Sequence, residues 1–115
     1  MPSKKVQAVV YVNSANKAVI FPPVILADSN GNDDIDIVNM TGKAIVVEYP
    51  ANVFEIGGGN NNIDPNKQIE NVPDKGKKTR KVHGNAVTGR YPFKILSFAT
   101  GGGVEANSDP EFIIE

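Results

Sequence analysis

Gly89-Arg90-Tyr91-Pro92-Phe93-Lys94-Ile95, followed downstream by Asn107-Ser108-Asp109-Pro110-Glu111-Phe112-Ile113-Ile114-Glu115, is the stretch that decides the fold. A glycine opens it, two aromatics follow at alternate positions, a loop intervenes and an apolar strand closes the chain. Side chains of a strand point alternately to opposite faces, so Tyr91 and Phe93 share one face and are expected at the centre of a core. A buried Tyr91 then needs a partner for its hydroxyl, and a backbone carbonyl at one end of the fold is the expected one.

Working outward, the same texture runs through the whole chain. Eleven glycines and eight prolines punctuate short apolar runs. Val6 to Val12 reads as a strand. Ala18-Val19-Ile20-Phe21 meets Pro22-Pro23 before Val24-Ile25-Leu26 resumes. Prolines cannot donate to a ladder, so this pair predicts a kinked edge or a strand that changes sheets. Asp34 to Val38 alternates with period two, Ala44 to Tyr49 is rich in β-branched residues, and Thr79 to Val82, Tyr91 to Phe98 and Glu111 to Ile114 complete the set. No window carries a 3.6-residue apolar stripe bounded by caps. Seven to eight short strands joined by Gly, Asn, Asp and Pro turns predict an all-β sandwich. Gly57-Gly58-Gly59-Asn60-Asn61-Asn62 is expected to be a mobile loop, and Asp64-Pro65-Asn66 a short helical turn.

With 115 residues the chain is one domain, 1–115, large enough for a core without covalent staples. Twelve basic and thirteen acidic residues leave a formal charge of -1, so bulk charge steers the chain toward neither nucleic acid nor membrane. The absence of cysteine removes disulfides, thiolate zinc sites and cysteine nucleophiles together. It leaves the compartment open, cytoplasmic or periplasmic. Met1-Pro2-Ser3-Lys4-Lys5 has the look of a leader's basic start, but the run to Val12 contains Gln7 and is too short and alternating for a leader's apolar segment. No segment approaches the ~20 apolar residues of a membrane-spanning helix.

From residue 19 onward the chain resembles the cupredoxin-like family. Phe21-Pro22-Pro23-Val24-Ile25-Leu26 is similar to the family's early strand, and Asp36-Ile37-Val38-Asn39-Met40-Thr41-Gly42 to the strand, Asn and turn that precede its first copper histidine. Gly89 to Ile95 is similar to the strand that precedes its copper cysteine. The resemblance implies a Greek-key β-sandwich; an immunoglobulin-like sandwich with different sheet membership is the alternative. It also implies where copper ligands would fall: a histidine near Ala44 or Ile45, a cysteine near Ile95, and a histidine and methionine between Leu96 and Ser108. A blue-copper site needs two imidazoles and a thiolate. The chain has one histidine, His83, lying upstream of the last two of these positions, and no cysteine. A copper-free member is therefore expected, with no cofactor.

Two polar constellations remain. Asp28, Asn30, Asn32, Asp34 and Asp36 space oxygen ligands like a calcium loop. The glycine such a loop needs at its sixth position is Asp33, however, and the closing glutamate is Asn39. The competing reading is a polar hairpin loop in which Asn30-Gly31 supplies positive φ angles. Lys75, Lys77, Lys78, Arg80 and Lys81 put five cations in seven residues, a candidate polyanion grip. No aromatic is interleaved for base stacking, which argues against nucleic acid. Here the competing reading is a solvated entry to an edge strand protected by lysines.

Catalysis finds no support: His83 has no acid beside it in sequence, the glycine runs lack the Lys-Ser/Thr of a phosphate loop, and no serine has a base. The expected function is a non-catalytic module that is structural or binds another protein. A calcium-stabilised extracytoplasmic domain using the Asp28–Asp36 loop is the alternative. A carbohydrate-contacting accessory domain is weaker still, because no aromatic pair sits on a loop.

Overall fold

The computed structural model describes residues 4–30, 32–97, 104–105 and 110–115. Among them the strands are β1 (Lys5–Val12), β2 (Ala18–Phe21), β3 (Val24–Ala27), β4 (Asp34–Met40), β5 (Ile45–Tyr49), β6 (Glu55–Gly57), β7 (Asn60–Ile63), β8 (Gln68–Val72), β9 (Lys77–Lys81), β10 (Gly89–Pro92), β11 (Lys94–Ser97), β12 (Val104–Glu105) and β13 (Glu111–Ile114). No helix occurs among the described residues. The expected turn at Gly31 and the last residue of the expected Tyr91 to Phe98 strand lie outside them.

One layer of the sandwich is the sheet β2-β1-β4-β9, in which β1 and β4 run parallel and the other pairs antiparallel. The opposing layer is made of β10-β13-β3 and β12-β11-β5-β8, which meet where Phe93 separates β10 from β11. Pro22 and Pro23 divide one apolar run between the layers. Residues before them pair with β1, and residues after them pair in parallel with β13. The strand therefore changes sheets, and the Phe21–Pro22 peptide bond is cis.

All eight expected runs are strands. The extra elements come from splitting and from polar segments. Tyr91 to Phe98 is interrupted at Phe93, whose N–H donates to the Pro110 carbonyl (3.1 Å). The Gly57–Asn62 segment is a hairpin joining β6 and β7, not a mobile loop; Gly57, Gly58 and Gly59 all have positive φ (88°, 63° and 91°), a run that only glycine tolerates without strain. Asp64 to Asn66 forms an Asx turn in place of a helical one, with the Asn66 N–H donating to Asp64 Oδ1 (2.9 Å).

The core joins Ala8, Val10, Ile20, Ile35 and Ile37 of the first layer to Ile25, Ile45, Val47, Ile95, Phe112 and Ile114 of the second. Phe112 sits at its aromatic centre. It stacks on Phe93 (ring centroids 4.2 Å apart), meets Phe54 edge-on (5.1 Å) and lies parallel to Tyr49 (6.3 Å). Phe93 is buried as expected. Tyr91 is half-buried against the core, and its hydroxyl donates to the Val87 carbonyl (2.6 Å). Truncating Phe112 to Ala is expected to destabilise the fold by about 3–5 kcal/mol, read from urea unfolding. A loss below that of an average surface substitution would remove Phe112 from the centre of the core.

Candidate functional site

The two polar constellations face each other across the β4–β9 ladder. Asp34 lies opposite Lys81 and Asp36 opposite Thr79. Lys81 Nζ is 3.1 Å from Asp34 Oδ1 and 3.3 Å from the Asn32 carbonyl. Asp36 is buried, accepts a hydrogen bond from the Thr79 hydroxyl and pairs with Lys77 (3.7 Å). Opposite charges directly across a ladder support each other, so the basic run becomes a strand because β4 offers it carboxylates.

The rest of the acidic loop is organised by Asp33, 1% exposed, the residue that fits the calcium pattern least. Its Oδ2 accepts from the Asp28 N–H (2.9 Å) and its Oδ1 from the Lys4 N–H (3.2 Å). Asp28 Oδ1 in turn accepts from the Asn30 N–H (2.9 Å), closing an Asx turn. Asp28 and Asn30 thus sit in the loop, while Asp34 and Asp36 extend along β4 with cationic partners. Among the described residues no three His, Cys, Asp or Glu side chains gather into a metal-sized cluster.

Of the five cations, Lys78 and Arg80 stand opposite the core residues Ile37 and Ile35, and of these two Lys78 is exposed while Arg80 is half-buried. Its Nη2 pairs with Glu70 of β8 (2.9 Å), and its guanidinium carbon stands 5.8 Å from the centre of the Tyr49 ring. This pair joins the outermost strands of the two layers, β9 and β8. Lys75, at a turn with φ 62°, and Lys78 have no ionic partner among the described residues.

His83 follows β9. Its N–H donates to the Val53 carbonyl, and its Nδ1 accepts from the Asn85 N–H (2.9 Å). At the positions where copper ligands were expected, Ile45 and Ile95 are wholly buried in the aliphatic core, and Ser97, also buried, lies opposite Ile45. The remaining positions, after Ser97, fall mostly outside the described residues. The donor set does not fit copper, since the chain holds one imidazole and no thiolate.

Sequence reasoning missed the outward faces of the layers. On the outer face of β2-β1-β4, Phe21, Val9 and Val38 form one cross-strand row, and Val19, Tyr11 and Met40 the next. Phe21 is 66% exposed, Met40 53% and Tyr11 38%. The same face continues into polar rows of Gln7, Asp36 and Thr79, then Lys5, Asp34 and Lys81. The signal was present in β1, whose Val9-Val10-Tyr11-Val12 is apolar at consecutive positions and so presents apolar side chains to both faces. On the other layer, Val46, Ile69 and Leu96 border a shallow hollow with Glu48 and Lys94. Its volume of about 270 Å³ and the 240 Å³ of the neighbouring hollow at Pro50, Pro92 and Pro110 are both below the usual size of a small-molecule site.

No protein-family model matches the chain, and no curated protein matches it. Among solved structures it is similar to a copper nitrite reductase from Nitrosomonas europaea, with a TM-score of 0.50 and 13% identity. The match covers 99% of this chain and 49% of that one, so the chain spans about half the length of its neighbour. The fold is a cupredoxin-like β-sandwich.

Tyr49 gives the site a pH signature. Burial, and next the charge of Glu70, push its hydroxyl above the ordinary phenol range, while Arg80 pulls the other way. The folded state thus holds this proton more tightly than the unfolded chain does. The resulting stability is complete below pH ~10 and is lost as pH rises beyond it. In an alkaline titration Tyr49 is expected to ionise only as the fold is lost. Unfolding free energy should fall more steeply above pH ~10 in the wild type than in Tyr49→Phe. Equal slopes would contradict the burial argument.

Proposed function

We propose that the chain is a non-catalytic, copper-free cupredoxin-like module that binds a protein partner on the outer face of β2-β1-β4. The observation that carries this reading is the two-row apolar grid of Phe21, Val9, Val38, Val19, Tyr11 and Met40. Contiguous exposed apolar surface of this kind marks interaction sites, whereas scattered single residues do not. The β1–β4 pair is also parallel, an arrangement usually covered on both faces. Aromatic and methionine side chains are the types enriched where partners dock. The polar rows beyond the grid supply a rim of mixed charge that orients a partner.

The copper-free part of the reading rests on the donor inventory, and the non-catalytic part on His83, whose Nδ1 is taken by a backbone N–H. The test uses the whole chain as bait in native lysate beside Phe21→Glu and Met40→Glu. These outward-facing changes should leave the melting temperature within about 2 °C of wild type. Partners retained by the wild type and lost from both variants are the expected result. Equal retention would move the binding surface elsewhere, and recovery of the free chain alone would count against a binding module.

The calcium-stabilised alternative gives an opposite result in a different measurement. A ligand that binds the native state must raise its melting temperature. With Asp34 and Asp36 held by Lys81, Thr79 and Lys77, the melt is expected to be the same in millimolar calcium and in chelator. A shift of several degrees would favour the Asp28–Asp36 loop as a calcium site.

A further inference from the structure

We infer that the sandwich edge between β8 and β9 contains an internal water-binding site built by Tyr49, Gln68 and Arg80. Three side-chain atoms sealed from solvent have no hydrogen-bond partner among the described residues: Tyr49 Oη, Gln68 Oε1 and Arg80 Nε. Buried polar atoms in native proteins are nearly always paired, and where protein groups do not pair them ordered water does.

The three residues belong to one interior region. Tyr49 of β5 and Gln68 of β8 are direct cross-strand partners on the core side, and Glu70 is the next residue of β8 on that face. Arg80 reaches in from the opposing layer over the Tyr49 ring. The β6–β7 hairpin closes the region from outside: a Cβ placed on Gly57 would stand 3.1 Å from Arg80 Nη1.

The orientation of the Gln68 amide is fixed by its neighbours. Its Nε2 donates to the Glu55 carbonyl (2.9 Å) and to Asp64 Oδ2 (3.0 Å), both acceptors, so the atom left over is the oxygen. Arg80 spends Nη2 on Glu70 and keeps Nε–H. The inventory is thus one hydroxyl, one N–H donor and one carbonyl acceptor.

That mixture selects the ligand. An anion would suit Arg80 and Tyr49 but would meet Gln68 Oε1 and the nearby charge of Glu70. A cation would suit Gln68 Oε1 but would meet the Arg80 guanidinium. A small neutral molecule that both donates and accepts answers all three, and buried water typically makes about three such bonds. Bound there, it links β5 and β8 of one layer to β9 of the other.

A well-ordered crystal of the whole chain tests the inference, with Tyr49→Phe as the companion because it keeps the ring and deletes one partner. The wild type is expected to show an ordered water within about 2.7–3.2 Å of at least two of the three atoms. The variant is expected to lose or displace that water and to melt a few degrees lower. No water beside these atoms, direct bonding among the three side chains, or a variant that melts at or above the wild-type temperature would each overturn it.

Discussion

The architecture depends on a hydrogen-bond donor that is missing twice in succession. Neither Pro22 nor Pro23 can contribute an N–H to a ladder, so the apolar run from Ala18 to Ala27 cannot remain in one sheet. Its first half stays antiparallel to β1 and its second half crosses to lie parallel to β13. Ile20 and Ile25 consequently enter the same core from opposite layers. The crossing also brings the end of the chain to β3, where Glu115 donates to the Ala27 carbonyl and its own carbonyl accepts from the Ser29 N–H. In a chain without cysteine, this main-chain closure does what a staple does elsewhere. It also fixes Phe112 of β13 within reach of Phe93, Phe54 and Tyr49.

The second organising principle is charge distributed by strand periodicity. Along β9, Lys77, Thr79 and Lys81 project outward onto the Asp34 and Asp36 side of β4, while Arg80 projects inward to Glu70. One basic run therefore stabilises the outer face of a layer and closes the gap between layers. β8 completes the closure with an inverted pattern, Gln68 and Val72 buried and Ile69 exposed. A strand that buries a glutamine and exposes its isoleucine is unusual by composition. It is accommodated here because the interior at this edge is polar, supplied with Arg80, Glu70 and the Tyr49 hydroxyl.

That inversion explains which parts of the fold could be read from sequence. Strands whose apolar residues face the core, such as Asp34 to Val38 and Glu111 to Ile114, were legible because the period-two pattern reports burial directly. The proline pair was legible because its effect on a ladder is local. Gln68 to Val72 was not legible, since its only isoleucine points to solvent. Asn60 to Ile63 was missed because glycine angles and main-chain bonds shape that hairpin, with little apolar burial. For the polar constellations the residue types were visible and their pairing was not. Asp36 and Thr79 are 43 positions apart in sequence yet share a hydrogen bond across a ladder. No local spacing rule contains that register, so one mutual network looked like two independent candidate sites.

Cross-strand pairing also bears on where a cupredoxin-like sandwich with a single histidine and no cysteine exposes surface. Where the resemblance would place ligands, Ile45 and Ile95 extend the aliphatic interior, which strengthens packing and leaves no group for chemistry at those positions. The charges that might have recruited an anion or a cation are largely spent on one another. Besides Lys75 and Lys78, whose charges have no ionic partner among the described residues, apolar side chains are left uncovered, the rows led by Phe21 and Tyr11 on β2-β1-β4 among them. Apolar side chains have no intramolecular way to satisfy themselves on an outer sheet face, because the core is on the other side of the same strands. The free energy available there is released only when another surface excludes water from it.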